Sequence, residues 1–283
     1  MLSMVPLEPV DYLVIGHLTE DVTPAGLRLG GTAAFAALTA RAFGMRVGIV
    51  TSVSDETALE PLHGIPVLRV PAARTTTFEN LHTDAGRRQV IRHRASDITT
   101  EGLPEAWKKS AIVHLGPVAQ EISSEAAEGF PASLLGITPQ GWMRTWDAEG
   151  NVTPCVWKTA GEVMRRAGAV VISREDVHGD EDAIHGMSQQ TRVLAVTDGA
   201  NGVVLYWNGD SRRFRPPPVS EVDPVGAGDV FAAAFFIRLY TTRDPWEAAR
   251  FATLLAARSV TRPGLEGIPT SSDIDACSME VMR

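Results

Sequence analysis

The stretch DYLVIGHLTEDVTPAGLRLGGTAAFAALTARAFGMRVGIVTSV, Asp11 to Val53, sets the fold class. Its head, Asp11–Leu18, is a short β-rich apolar run that ends near Gly16. Gly30–Gly44 is alanine-rich and helical, closing at Gly44, and Arg46–Val53 is apolar and β-branched again. The order is therefore strand, connector, helix, strand. Further runs of the same kind follow at Ser110–Gly116, Ala132–Thr138, Ala167–Ser173 and Thr191–Thr197, with helical stretches at Glu121–Phe130 and Trp157–Gly168 between them. Apolar strands alternating with helices predict an α/β fold with a doubly wound, mostly parallel sheet covered on both faces. The expectation is one such domain over residues 1–283.

Two segments break the rhythm. Thr75–Arg94 alternates polar and apolar residues about a turn at Asp84, Ala85 and Gly86, the pattern of a hairpin with one wet face. Together with the connector Thr19–Leu29 it forms the expected small β lid. Gly202–Pro218 reads as two strands about Asn208, Gly209 and Asp210, closed by a proline run.

The composition narrows the function. Of 283 residues, 44% are hydrophobic and 21% charged, and the formal net charge is -8 with both signs mixed along the chain. Such a chain has a large core, and no nucleic-acid or anionic-membrane surface is expected of it. Cys155 and Cys277 lie far apart without metal-ligand spacing, and no signal peptide or transmembrane run is read, so a reduced, cytoplasmic protein is expected.

The chemistry concentrates in DPVGAGDVFAAAFF, Asp223–Phe236. Small residues at Gly226, Ala227 and Gly228 let an anion approach backbone N–H groups at a helix start. Asp229 follows in the first turn, where the helix dipole favours the ionised carboxylate. An anion hole beside a base suits phosphoryl transfer to a hydroxyl. The same residues also suit a plain helix cap with glycines for tight packing.

This segment resembles the C-terminal signature of the ribokinase-like (PfkB) carbohydrate kinases. Gly30 and Gly31 in LGGTAAFAALTARAFG resemble the N-terminal signature, and VTDGANGVVLY and AARSVTRPGLEGIPT resemble the nucleotide-binding stretches. By position the resemblance implies Asp229 as catalytic base, with Gly226, Ala227 and Gly228 as the anion hole. It implies Asp21, Gly30 and Gly31 as substrate contacts, and Thr197, Gly199, Gly202, Ala256, Ser259 and Pro263 around the nucleotide. ATP and Mg²⁺ are the implied co-substrate and metal, the substrate is a small sugar, polyol or nucleoside, and a homodimer through the lid is compatible with the family.

Departures accompany the likeness. Where many members have an asparagine and, three residues later, a glutamate, this chain has Ser173 and Asp176, so Asp176 is the expected metal residue, acting through water. TPQGWMRTW offers Gln140 and Arg144 as substrate contacts, an arrangement similar to that of inositol kinases. Arg87 or Arg88 on the lid is a candidate phosphate or sugar contact, and a solvated charge otherwise. Trp142 and Trp146 either stack on a substrate ring or pack the core. His114 is a candidate ligand at a strand end, and a hydrogen-bonded structural histidine otherwise. Two rivals remain open: a non-catalytic relative that keeps the pocket, and a dinucleotide oxidoreductase, against which stands the lone Gly16 after the first strand.

Overall fold

The computed structural model describes residues 8–83 and 86–279. In chain order the strands are β1 (Tyr12–Ile15), β2 (Thr19–Thr23), β3 (Gly26–Gly30), β4 (Val47–Val53), β5 (Val67–Pro71), β6 (Thr76–Thr83), β7 (Gly86–His93), β8 (Ile112–Leu115), β9 (Leu134–Ile137), β10 (Arg144–Trp146), β11 (Val152–Pro154), β12 (Ala169–Ser173), β13 (Val193–Thr197), β14 (Val203–Trp207) and β15 (Asp210–Phe214). The helices are α1 (Thr32–Ala42), α2 (Glu105–Lys108), α3 (Ala160–Met164), α4 (Glu181–Gln190), α5 (Ala227–Thr242), α6 (Pro245–Ser259) and α7 (Ser271–Met279).

Nine strands form the main sheet in the order β15-β14-β13-β12-β9-β8-β1-β4-β5. From β13 to β5 neighbours run parallel, while β14 and β15 append an antiparallel hairpin turned at Asn208 and Gly209. Side chains alternate between two cores, as a period of two requires. Tyr12, Val14, Ala169, Val171 and Ala195 face α1, α5 and α6, whereas Leu13, Ile15, Val170, Ile172 and Leu194 face Trp107, Met164 and Ile184 on the other side. The sheet is thus doubly wound, as expected. The chain order reverses between β1 and β8, and a ligand crevice belongs at the C-terminal strand ends beside such a switch point.

The lid is a four-stranded sheet, β3-β2-β6-β7. It matches the expected segments, except that Asp84 and Ala85 of the predicted turn, and the side chain of Arg87, lie outside the described residues. The short hairpin β10–β11 docks on it: Ile91 N–H donates to Gly150 O at 2.8 Å, and Arg88 hydrogen-bonds Asn151. Arg88 is thereby engaged on the lid's own structure. Two predicted helices shorten. Glu121–Phe130 holds only a 3-10 stretch, Ser124–Gly129, and Trp157–Gly168 only α3. Among the described residues no helix is long and apolar enough to cross a membrane.

Candidate active site

A cleft of about 640 Å³ lies between the lid and the C-terminal ends of the core strands. Thr19 and Asp21 line it after β1, Val118 after β8, Gln140 and Arg144 after β9, and Asp176 after β12. The N-terminus of α5 closes its floor with Gly226, Gly228 and Asp229. The topology therefore gathers residues two hundred positions apart around one space.

Gly226 is the N-cap of α5, with φ +82°, and no side chain caps the helix there. A Cβ at Gly226 would stand 2.1 Å from the Phe35 ring, so only glycine lets the loop press on α1. Around Gly228 the space where a Cβ would go is open. Ala227 differs from the expectation: it does not line the cleft, and its N–H already donates to Pro224 O at 3.2 Å. The loop before α5 is anchored by Asp223, which accepts from Val225 N–H at 3.0 Å and Gly264 N–H at 2.9 Å and pairs with Arg28 of β3 at 3.1 Å.

Asp229 accepts a 2.7 Å hydrogen bond at Oδ1 from the Thr32 hydroxyl. Burial pushes its carboxyl up to about 6; the Thr32 hydrogen bond and the Arg144 charge pull it down, and the nearby Asp176 and Asp21 raise it. The helix dipole was expected to favour the ionised carboxylate; burial works against it and is the larger effect on the pKa.

Asp21 and Gly31 line the cleft, and Gly30 backs it: a Cβ on Gly30 would approach Asp21 Oδ2 to 2.8 Å. Gly31 has φ +85°, and a Cβ there would stand 2.8 Å from His17 O. Glycine is thus required at Gly31, where the backbone after β1 and Thr19 cross the start of α1. Gln140 donates through its amide to Asp176 Oδ1 at 3.3 Å. Asp176 Oδ2 accepts from Ser173 N–H at 2.8 Å, and Ser173 Oγ accepts from Glu175 N–H at 3.2 Å. Ser173 and Asp176 are therefore a capping box on the 3-10 turn Arg174–Val177. Among the described residues no cluster of three or more His, Cys, Asp or Glu could hold a metal ion. The donor set fits Mg²⁺ only where phosphate and water supply most ligands and the remaining lone pairs of Asp176 reach it through water.

The six expected nucleotide residues do not line this cleft. Thr197 donates to Ile172 O at 3.2 Å, and Gly199 and Gly202 bracket the turn between β13 and β14. Ser259 is buried with its hydroxyl on Ala256 O at 2.8 Å, and Pro263 begins the 3-10 turn Gly264–Gly267. The same stretch instead lines a separate cavity of about 310 Å³ through Leu254, Arg258, Thr261 and Arg262. Helical spacing puts residues 254 and 258 on a different side of α6 from 256. There the two arginines are paired with Asp273 at 3.8 and 2.9 Å.

His114 is structural: Nδ1 meets Tyr12 Oη at 2.8 Å and Nε2 meets Thr138 Oγ1 at 2.9 Å, and burial pushes the ring down to about 3. Trp142 stacks on Trp157 at 5.2 Å and donates to Ile122 O at 2.6 Å, while Trp146 packs with Phe78 and Ile91 of the lid. Both tryptophans pack the protein. Among the described residues neither Cys155 nor Cys277 forms a disulfide.

Sequence reading missed Thr32, Asn80 and Gln89, all of which line the cleft. Asn80 and Gln89 are cross-strand partners on β6 and β7, joined at 3.2 Å, so the alternation of the lid hairpin carried that signal.

The pfkB family carbohydrate kinase profile matches residues 165–271. An inositol 3-kinase of Oryza sativa subsp. japonica is 29% identical over 92% of this chain and 70% of its own length. A cytidine kinase of Thermococcus kodakarensis is 24% identical over 89% of this chain and 96% of its own. The resemblance to the pfkB family carbohydrate kinases is thus supported, over residues 165–271 by the family profile and over most of the chain by these relatives. A solved structure of a pyrophosphate-dependent kinase in the ribokinase family, complexed with a pyrophosphate analog and myo-inositol, superposes with a TM-score of 0.79 at 18% identity, covering 94% of this chain and 99% of that one. The fold is therefore ribokinase-like. The span matched by the pfkB profile holds Asp176, the loop from Asp223, Asp229 and the 256–263 stretch, while the lid and α1 lie outside it.

Proposed function

We propose that this chain transfers a phosphoryl group from ATP to a hydroxyl of a small sugar, polyol or nucleoside. The observation that carries the reading is Asp229: a partly buried carboxylate, hydrogen-bonded by Thr32 and pushed up to about 6 by burial, in the first turn of a helix that no side chain caps, on the wall of a polar cleft. A base with a pKa of about 6 is mostly ionised at pH 7 and still accepts a proton as the attacking hydroxyl loses it.

The N–H groups of Gly226 and Gly228 face the developing charge of the transferred phosphoryl group, with the α5 dipole behind them. Arg144 brings the positive charge nearest to this point of the cleft wall. Asp21, Asn80, Gln89 and Gln140 offer both donors and acceptors from two sides, which suits an acceptor carrying several hydroxyls and favours a polyol such as the inositol named for one relative. Lid closure excludes the water that would otherwise accept the phosphoryl group. Mg²⁺, when bound, neutralises the phosphates of the donor, with Asp176 as its residue of contact through water.

The test is ADP release from ATP with Mg²⁺ across inositols, sugars and nucleosides, with a parallel arm in which pyrophosphate replaces ATP and the phosphorylated acceptor and orthophosphate are measured. Stimulation by one acceptor, reduced on the order of 100-fold or more in Asp229→Asn, is the expected result. Equal turnover in both proteins removes Asp229 as base. ATP binding without turnover on any acceptor would instead favour the non-catalytic relative, a reading to which the capping role of Asp176 lends support.

A further inference from the structure

The hydrogen bond between Thr32 and Asp229 joins the first residue of α1 to the first turn of α5 across 197 positions of sequence. Thr32 is only 4% exposed. Its methyl lies against Gly116, where a Cβ would approach Thr32 Cγ2 to 2.4 Å and Thr138 Oγ1 to 3.2 Å. Thr138 is in turn held by His114 Nε2 at 2.9 Å, and His114 by Tyr12 at 2.8 Å. A β-branched side chain has few rotamers, and with its methyl seated over Gly116 the hydroxyl points to Asp229 Oδ1. Among the described residues Oδ1 receives that one hydrogen bond and Oδ2 receives none.

Resting on the kinase reading above, we propose that Thr32 is a positioning residue for phosphoryl transfer: it holds Oδ1 of Asp229 and thereby presents Oδ2 as the atom that takes the proton of the acceptor hydroxyl. The proton moves from the acceptor oxygen to Oδ2 as that oxygen bonds to phosphorus and the donor's bridging oxygen leaves. Thr32 keeps its own proton throughout. The charged and titratable groups around Asp229 are Arg144 from β10, Asp176 from the turn after β12, Asp21 from β2 and Tyr12 from β1. Among the described residues, the hydrogen bond that fixes this carboxylate comes from the Thr32 hydroxyl.

Two substitutions separate this role from packing. Thr32→Val keeps the shape and removes the hydroxyl, and Thr32→Ser keeps the hydroxyl and removes the methyl. With the acceptor found in the panel, kcat of Thr32→Val is expected to fall at least about tenfold, with the acceptor KM within about twofold, since a misaimed reacting group affects the chemical step. Thr32→Ser is expected to stay within about threefold of the parent kcat. Melting temperatures establish that both variants are folded at the assay temperature. Parent-like kcat in Thr32→Val overturns the proposal, as does an equal loss in Val and Ser, which points to packing. Asp229→Asn separates the two failures: an inactive Asn variant beside an unaffected Val variant overturns the role of Thr32 alone. An absence of turnover with every acceptor and both donors overturns the kinase reading and this role with it.

Discussion

Asp229 is held where a carboxylate is chemically useful and energetically unfavourable. Its folded pKa of about 6 stands above the ordinary 3.8, so between those values the folded state holds a proton that the unfolded state has lost. Stability from this group therefore rises as the pH falls from 7 toward 4, the reverse of a salt-bridged aspartate. At neutral pH the ionised form costs at most about 3 kcal/mol, and less to the extent that the carboxylate faces the water of the cleft. Asp229→Asn should thus raise the melting temperature at pH 7.5, with the gain shrinking toward pH 4, as thermal unfolding over a pH series would show. In the parent protein, kcat/KM should fall about tenfold per unit below pH 6, because the protonated base cannot accept a second proton. A stabilised Asn variant that has lost turnover is the signature of a site built at the expense of stability. A destabilised Asn variant would mean that the carboxylate is compensated by contacts stronger than those seen.

At the scale of elements, the cleft depends on how the strand ends are fastened. Glu121, 1% exposed, accepts N–H bonds from His17 at 2.9 Å, Val118 at 3.0 Å and Ala119 at 2.7 Å. One carboxylate thus clips the residues after β1 to those after β8, on both sides of the switch point. Glu121→Ala leaves three N–H groups without this acceptor and should cost at least about 3 kcal/mol in a urea titration, with Glu121→Gln losing less. A change under about 1 kcal/mol for the alanine variant would show that water replaces the clip. In the sequence Glu121 looked like the head of a helix, because EISSEAAEGF has helical composition; the carboxylate turns back to the strand ends instead and only a 3-10 stretch follows. The core strands were legible because strands buried on both faces must be apolar runs between turns, and the lid because one wet face forces alternation. The hairpin β10–β11 was not. Its three-residue strands are held from β7, where Ile91 N–H donates to Gly150 O and Val90 bridges to Asn151, and local preference carries no trace of that. Asp229 and its glycines stood out by their spacing, whereas Thr32 acquires its meaning only when α1 and α5 meet.

For the whole molecule, α5 is the shared element: it packs on α1 and α6, lies against β8, β9 and β12, and carries Asp229 at its exposed end. Its apolar residues from Val230 to Ile237 are all buried, which answers why so oily a helix occurs in a protein of ordinary composition. The position of its N-terminus in the cleft is therefore set by packing well below the site. A tight point below the site is Gly136 of β9, where a Cβ would meet the Phe236 ring at 2.5 Å, and the same ring stands edge-on to His114 with centroids 5.0 Å apart. Gly136→Ala should cost about 1–3 kcal/mol by overpacking. Phe236→Leu alone should be destabilising through lost contact, but in the pair the smaller side chain makes room for the new methyl. The double variant should accordingly lose less than the sum of the single losses, by at least about 1 kcal/mol in a urea-denaturation cycle. Simple additivity would mean that α5 shifts to relieve the contact. In that case the Gly136→Ala variant should also lose kcat, because the helix that moves is the one that aims Asp229.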